Sequence, residues 1–273
     1  MFSLFDVTNL NFVITGGLGQ IGLKLLDYLE NSNSKIVVID IFSNKKLKLL
    51  KKKYSFLNSK KLKILNINIC NKKKTENSLK KIIFFLKKID ILINLAAIDR
   101  NNKGNFSTNY DFHNFPHEFL KKSIDTNLVG TINMSQIFCN YFIKNKIEGN
   151  IINVASIYSI VAPNLALYNK KISSYNNINK PIDYVISKSS IPNLTKYLAT
   201  NYGRYKIRCN CLIPHGIKNL HDKAFIKKYS NLSPIGRMSD VNEIIGPIIF
   251  LSTKASSYMT GANLIVDGGW TSW

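Results

Sequence analysis

Acidic residues are scarce in this chain: 16 Asp and Glu stand against 38 Lys and Arg, a formal charge of +22 over 273 residues. Arginine is scarcer still, occurring only at Arg100, Arg204, Arg208 and Arg237, so lysine carries nearly all the positive charge. Scattered lysine beside abundant asparagine and isoleucine reads as a solvated surface and an AT-rich coding bias, and no nucleic acid is expected as a partner. No segment reaches eighteen uninterrupted apolar residues, and the first ten residues lack a basic stretch followed by a long apolar one. Neither a membrane span nor a secretory signal is therefore indicated, and a cytoplasmic protein with no membrane partner is expected. Four cysteines (Cys70, Cys139, Cys209, Cys211) and four histidines (His113, His117, His215, His221) show no paired ligand spacing. Reduced, mostly buried thiols are expected, with no metal site. Linkers rich in Pro, Gly or Ser and internal repeats are missing too. At 45% hydrophobic content the chain suits one large α/β domain over residues 1–273.

What is present begins at residues 11–40. An apolar run (Phe12, Val13, Ile14) enters Thr15-Gly16-Gly17-Leu18-Gly19-Gln20-Ile21-Gly22, then an amphipathic segment, then a second apolar run closed by Asp40. Strand, glycine turn, helix and strand in that order open a dinucleotide-binding βαβ unit. The glycines let the backbone turn sharply and bring its N–H groups against a pyrophosphate, so Gly16, Gly17, Leu18, Gly19, Gln20 and Ile21 are expected to bind the cofactor. The helix beginning near Gln20 points its positive end at that anion. Asp40 sits where a carboxylate accepts hydrogen bonds from both hydroxyls of an adenosine ribose and repels a 2′-phosphate. NAD(H) is therefore favoured, with NADP(H) possible because Lys45 and Lys46 follow closely.

The alternation continues, predicting a single doubly wound Rossmann-type α/β domain with a mostly parallel sheet of about seven strands flanked by helices. Helices are expected over 47–57 and 78–86, strands over 62–67 and 89–94. Asn68 and Ile69, after the third strand, are placed to flank an adenine ring. Asn94-Leu95-Ala96-Ala97 puts small residues directly after a strand, where backbone can approach a ligand, so Asn94, Ala96 and Ala97 join the nucleotide edge. Polar residues 99–118 have no period and read as one wall of a substrate pocket. A helix over 123–142 carries Asn127, and a strand over 150–154 delivers Ser156 to the carboxyl edge of the sheet.

A second insertion over 157–181 ends at Pro181, suited to the first turn of a helix running to about residue 200. Tyr184 and Lys188, four apart, share one face of it. A strand over 207–212, the run Pro214-His215-Gly216-Ile217, and a loop with a short helix over 218–236, read as a lid, come next. A helix from Asp240 to residue 251 and a strand over 263–266 close the pattern. Tyr202-Gly203-Arg204-Tyr205-Lys206 repeats the Tyr-x-x-x-Lys spacing, but Gly203 should end the helix there and no serine-bearing strand edge precedes it; it is read as a decoy.

In their order along the whole chain, Thr15-Gly16-x-x-Gly19-x-x-Gly22, Asn94-Leu95-Ala96-Ala97, Asn127, Ser156, Tyr184-x-x-x-Lys188, Pro214-His215-Gly216 and Val266-Asp267-Gly268-Gly269 resemble the short-chain dehydrogenase/reductase family. A carbonyl that accepts hydride becomes an alkoxide and needs a proton at neutral pH. Free tyrosine, with a pKa of about 10, serves this badly, and an adjacent ammonium lowers that value. Tyr184 is thus the expected general acid in reduction and base in oxidation, with Lys188 supplying the charge. The resemblance further implies that Lys188 holds the nicotinamide ribose, Ser156 binds the substrate oxygen and Asn127 orders a water chain to Lys188. It also places Pro214, Gly216 and Ile217 beside the nicotinamide. Three features depart from the family pattern: Gln20 replaces a common glycine, Ser156 lies twenty-eight residues before Tyr184 so the insertion must loop out, and His215 replaces the residue commonly found between the proline and the glycine.

The segments around Asn114-Phe115-Pro116 and residues 155–163 resemble bacterial oxidoreductases of surface-sugar synthesis, flagellin modification included. Polar, Asn- and Tyr-rich walls suit a hydroxylated small molecule. The expectation is hydride transfer between NAD(P) and a carbonyl or secondary alcohol of a sugar derivative. A 3-oxoacyl carrier-protein reductase, docking an acidic carrier on the basic surface, and a non-catalytic nucleotide-binding sensor or scaffold are the alternatives. The helices from Ser123 and Pro181 carry apolar residues beyond one face, and the resemblance implies that they pair between subunits in a homodimer or homotetramer.

Overall fold

In the computed structural model the described residues are 4–99, 112–164, 167 and 180–273. Residues 100–111 of the first predicted pocket wall, and 165, 166 and 168–179 of the second insertion, lie outside them. Seven parallel strands form one sheet in the order β3-β2-β1-β4-β5-β6-β7. These are β1 (Phe12–Thr15), β2 (Ile36–Asp40), β3 (Leu62–Asn66), β4 (Ile91–Asn94), β5 (Asn150–Val154), β6 (Arg208–Pro214) and β7 (Asn263–Val266). β1, β2 and β4 read as apolar runs up to their last residue because helices cover both faces. β3, at one edge, is only half-buried and admits Lys63. Strand order reverses between β1 and β4, whose carboxyl ends therefore open a crevice, the place where such sheets bind ligands.

Alternate residues of each strand feed two cores. Phe12, Ile14, Val38, Ile152 and Leu212 pack with Leu25, Leu29 and Ile248 from helices α1 (Gln20–Leu29) and α9 (Asn242–Ser252). Val13, Val37, Ile39, Leu92 and Ile151 face the other side, against Ile82, Phe138, Phe142 and Leu198. Those come from α3 (Lys72–Leu86), α5 (Gly130–Lys144) and α7 (Ile191–Tyr202). Fully burying one such side chain contributes about 1.5–3 kcal/mol, so these two layers fix the strand ends that carry the site. Cys139, Cys209 and Cys211 are free and buried among them, with burial pushing the Cys139 and Cys211 thiols up to about 12.

Four helix boundaries differ from the sequence expectation, each for a local reason. The helix expected over 47–57 is α2 (Asn44–Lys53), begun early because Ser43 Oγ accepts the Lys46 N–H at 3.2 Å, and a 3-10 turn, Ser55–Asn58, follows it. The helix expected from 78 starts at Lys72, where Asn71 Oδ1 accepts the Lys74 N–H at 3.0 Å. The stretch 123–142 is not one helix but α4 (His117–Ile124), a wide π turn (Asp125–Val129) and α5. The stretch 181–200 breaks at Ser190 into α6 (Ile182–Ser189) and α7, because Pro192 has no N–H for the Lys188 carbonyl and its ring would clash there. Over 218–236 the helix is α8 (Lys223–Leu232), capped by Asp222.

At the Tyr-x-x-x-Lys repeat, α7 ends at Tyr202, but Gly203 keeps a right-handed φ of −57° and the left-handed residue is Lys206, at φ 58°. Lys206 pairs with Glu148, which precedes β5, whereas Ser156 follows it: the repeat lies at the opposite end of the sheet from that serine. No helix among the described residues is long and apolar enough to cross a membrane.

Candidate active site

One cleft of about 1110 Å³ runs along the carboxyl edge of the sheet, from the turn after β1 to the loop after β6. At its first end Gly16 adopts φ +67° and passes so close to β4 that an added Cβ would lie 2.6 Å from Ala96 Cα. Only glycine allows both. Gly19, which starts α1, has no side chain to cap it, leaving the N–H groups of the first turn directed along the helix axis for an anion. Asp40, at the tip of β2, accepts the Leu18 N–H at 2.8 Å and the Ile41 N–H at 2.7 Å, which fixes its carboxylate across the mouth of the glycine turn. Gln20 does not act as a glycine substitute; its side-chain amide crosses to donate to the Lys218 carbonyl at 2.8 Å. A glycine cradle, an uncapped helix start and a strand-end carboxylate along one long cleft fit a dinucleotide: pyrophosphate at the turn, ribose at Asp40.

At the other end β5 delivers Ser156, whose hydroxyl lies close enough to the Tyr184 phenol to bear on its pKa and whose Oγ accepts the Tyr158 N–H at 3.4 Å. The separation of twenty-eight positions does not keep the two apart. Tyr184 is half-buried on α6, and α6 is clamped from two sides. Ser123 on α4 donates to the buried Asp183 carboxylate at 2.5 Å. Asn127, at the centre of the π turn, donates to Ser187 Oγ at 2.8 Å, and Ser187 in turn donates to the Tyr184 carbonyl at 3.0 Å. Asn127 also accepts the Ile98 N–H at 2.7 Å and donates to the Ile98 carbonyl at 3.1 Å. Its side chain is thus committed to protein groups, mounting both α6 and the loop after β4, and no part of it faces the cleft.

Lys188 Nζ donates to the Val154 carbonyl at 2.6 Å, and burial lowers its pKa to about 8. Burial raises the Tyr184 phenol above its ordinary value, with the charge of Asp99 adding to this and the Ser156 hydroxyl opposing it. Desolvation wins because both groups sit under helices and strand ends instead of in solvent. The structure therefore holds a protonated phenol beside a serine hydroxyl, with an ammonium one helical turn away.

Of the residues singled out in the sequence, Gly16, Leu18, Gly19, Gln20, Ile21, Asp40, Asn68, Ile69, Ala96, Ala97, Ser156, Tyr184, Lys188, Pro214, Gly216 and Ile217 line this cleft. Gly17, Asn94 and Asn127 lie behind its wall. The Asn94 amide donates to Asn153 Oδ1 at 2.9 Å and so braces β4 against β5. Sequence reasoning passed over the aromatic floor: His215 contacts Tyr158, Tyr229 and Trp270, with ring centroids 5.8, 5.2 and 4.7 Å apart, and burial lowers its pKa to about 4. It also passed over Lys180, whose Nζ stands 4.1 Å from the centre of the Tyr184 ring. Neither has a periodic signal; the nearest sequence cue is that Lys180 immediately precedes Pro181 and that Tyr158 follows two residues after Ser156.

A family model described as enoyl-(acyl carrier protein) reductase matches residues 20–271. The NAD-dependent glycerol dehydrogenase of Listeria innocua is 28% identical over 272 residues, covering 98% of this chain and 96% of its own. The post-translational flagellin modification protein A of Campylobacter coli is 28% identical over 259 residues, covering 94% and 96%. Among solved structures, a short-chain dehydrogenase of Leptospira borgpetersenii with bound NAD+ superimposes with a TM-score of 0.82 at 27% identity, covering 99% of this chain and 96% of that one. With the family model matched over residues 20–271 and a seven-stranded parallel sheet shared with the solved dehydrogenase over nearly the full length, this chain belongs to the short-chain dehydrogenase/reductase family.

Proposed function

We propose that the chain is an NAD(H)-dependent oxidoreductase that interconverts a secondary alcohol and a ketone on a small polyol or sugar derivative. The observation that carries this reading is the meeting of the Ser156 and Tyr184 hydroxyls at the cleft end opposite the phosphate cradle. Two hydroxyls so placed present themselves to a single substrate oxygen. Bound NAD(H) supplies or accepts the hydride. Ser156 holds the oxygen in place, and Tyr184, kept protonated by its surroundings, gives its proton to that oxygen in reduction and takes it back in oxidation. Lys188 keeps a positive charge at the inner end of the phenol's helix face and has N–H groups beyond the one spent on Val154 for a ribose hydroxyl. Asp40 selects NAD(H) by accepting from the adenosine ribose and repelling a 2′-phosphate.

The choice of a hydroxylated substrate rests on the polar and charged lining near Tyr184, Asp99 and Lys180 included, and on the similarity to a glycerol dehydrogenase. Similarity to flagellin modification protein A supports a place in surface-glycan synthesis. Tyr184→Phe tests the chemistry: NADH binding, followed by calorimetry, is expected to persist while turnover falls by about 10²–10⁴-fold. Undiminished turnover removes Tyr184 from the mechanism. A panel of polyols, sugars and sugar phosphates with NAD+, set beside a 3-oxoacyl thioester with NADH, tests the substrate class; turnover of the thioester alone would favour the acyl reading.

A further inference from the structure

Beyond the groups that handle the reacting oxygen, the cleft holds an ion pair set directly beside the phenol. Asp99 lies five residues beyond β4 and Lys180 two residues before α6, so the pair joins two walls that come from different parts of the chain. Lys180 Nζ donates to Asp99 Oδ1 and lies 4.1 Å from the Tyr184 ring centre and 6.0 Å from that of Tyr158. Its side chain is only 10% exposed, while that of Asp99 is 36% exposed, so the pair is sheltered yet open on the carboxylate side. For a sheltered pair the cost of desolvating two charges offsets their attraction, so stability does not explain placing this ammonium on the working phenol.

Resting on the reading of the cleft given above, we propose that the Asp99–Lys180 pair reads a hydroxyl on the carbon next to the reacting one, so that the substrate class is the α-hydroxy ketone and its vicinal diol. The ammonium has three N–H donors and the carboxylate two oxygens, and among the described residues each spends one on the other. What remains is a donor beside an acceptor, the complement of an O–H group, which accepts from the first and donates to the second. The position is right for it. A substrate oxygen held by Tyr184 and Ser156 leaves the oxygen of its neighbouring carbon roughly one hydrogen-bond length further on, about 3 Å, where Lys180 stands over the phenol ring. A substrate with hydrogen or methyl at that carbon would leave the sheltered charges facing an apolar surface, and a site built to hydrogen-bond a hydroxyl rejects an analogue that lacks it. The electrostatic reach of the pair agrees: Asp99 bears on both Tyr184 and Lys188, and Lys180 on His215. Lys180 and Asp99 are specificity residues in this reading, not catalytic ones.

The test compares kcat/KM for 1,3-dihydroxyacetone with that for acetone, two ketones that differ only in the adjacent hydroxyls, using NADH and the full chain. The native chain is expected to prefer dihydroxyacetone by about 10–100-fold, the worth of one hydrogen bond to a charged group. In Asp99→Asn and Lys180→Met that ratio is expected to fall by roughly tenfold, mainly through KM. Asp99→Asn is nearly isosteric, and a thermal melt confirms that it folds. If dihydroxyacetone is not turned over, the same ratio is taken on whichever sugar of the panel is, against its deoxy analogue. A ratio near one in the native chain, a ratio unchanged in both variants, or an equal fall on both ketones overturns the inference. That last result would mean the pair serves Tyr184 and not the substrate. Turnover of ketones without hydroxyl preference leaves the oxidoreductase reading standing; no turnover of any ketone, polyol or sugar brings down both.

Discussion

Replacing Lys188 by methionine is expected to stabilise the folded chain at neutral pH while removing turnover. In the fold the Lys188 ammonium is fully enclosed and its pKa drops from 10.5 to about 8. Each pH unit between folded and unfolded values is worth about 1.36 kcal/mol, so carrying the charge into the fold costs on the order of 3 kcal/mol at pH 7. Between pH 8 and 10.5 the unfolded chain binds the proton more often than the folded one, and stability therefore rises with pH across that window. The cost is fully present below pH 8 and gone above 10.5. Methionine fills a similar volume without the charge, but it leaves the Val154 carbonyl without the bond that Lys188 donates at 2.6 Å, which returns about 1 kcal/mol. The net expectation is a variant about 2 kcal/mol more stable at pH 7, with the gain shrinking to nothing by about pH 10. Chemical denaturation of both proteins at pH 7, 8.5 and 10 measures this directly. A destabilised variant at pH 7, or a difference that does not change with pH, would refute the argument that Lys188 is held charged against its surroundings for the sake of the reaction.

Asp40→Ala is expected to lower the preference for NADH over NADPH by roughly tenfold, because the variant loses one charge-assisted acceptor and the repulsion of a 2′-phosphate together. Steady-state kinetics with both nucleotides decides it, and an unchanged ratio takes Asp40 out of cofactor choice. Val129, Ile186 and Tyr197 are exposed apolar residues on the π turn, α6 and α7. Multi-angle light scattering is expected to give a dimer or tetramer, and a monomer at micromolar concentration would refute the pairing of these helices.

Most of the nucleotide half of the site was legible because its residues are neighbours in the chain. Gly16 to Ile21 and Asp40 belong to one βαβ unit, and a local pattern fixes their arrangement. The strands were equally plain, being apolar runs too short for helices. What the sequence hid was of two kinds. Helix continuity depends on single atoms: the missing N–H of Pro192, the capping oxygens of Ser43 and Asn71, one additional residue in the turn around Asn127. A 3.6-residue period has no means to register these. Tertiary polarity is the other kind. That Lys188 would turn to the Val154 carbonyl, that Asn127 would be consumed by Ile98 and Ser187, and that Asp99 would meet Lys180 eighty-one positions away are outcomes of packing between distant segments. Ser156 and Tyr184 were found despite their separation only because each stands in a recognisable setting, a strand end and a helix face.

The π turn between α4 and α5 has a consequence for how this chain can change. A helix that takes in one additional residue emerges rotated by roughly 100° about its axis. α4 can therefore offer Ser123 to Asp183 while α5 offers its apolar side to the sheet and α3. Deleting any one residue between 125 and 129 would rewind that rotation, swinging Ser123 off Asp183 and Asn127 off both Ile98 and Ser187 in a single event. Most substitutions there loosen one strut of the phenol's mounting; a three-base deletion in frame would take down all of them at once.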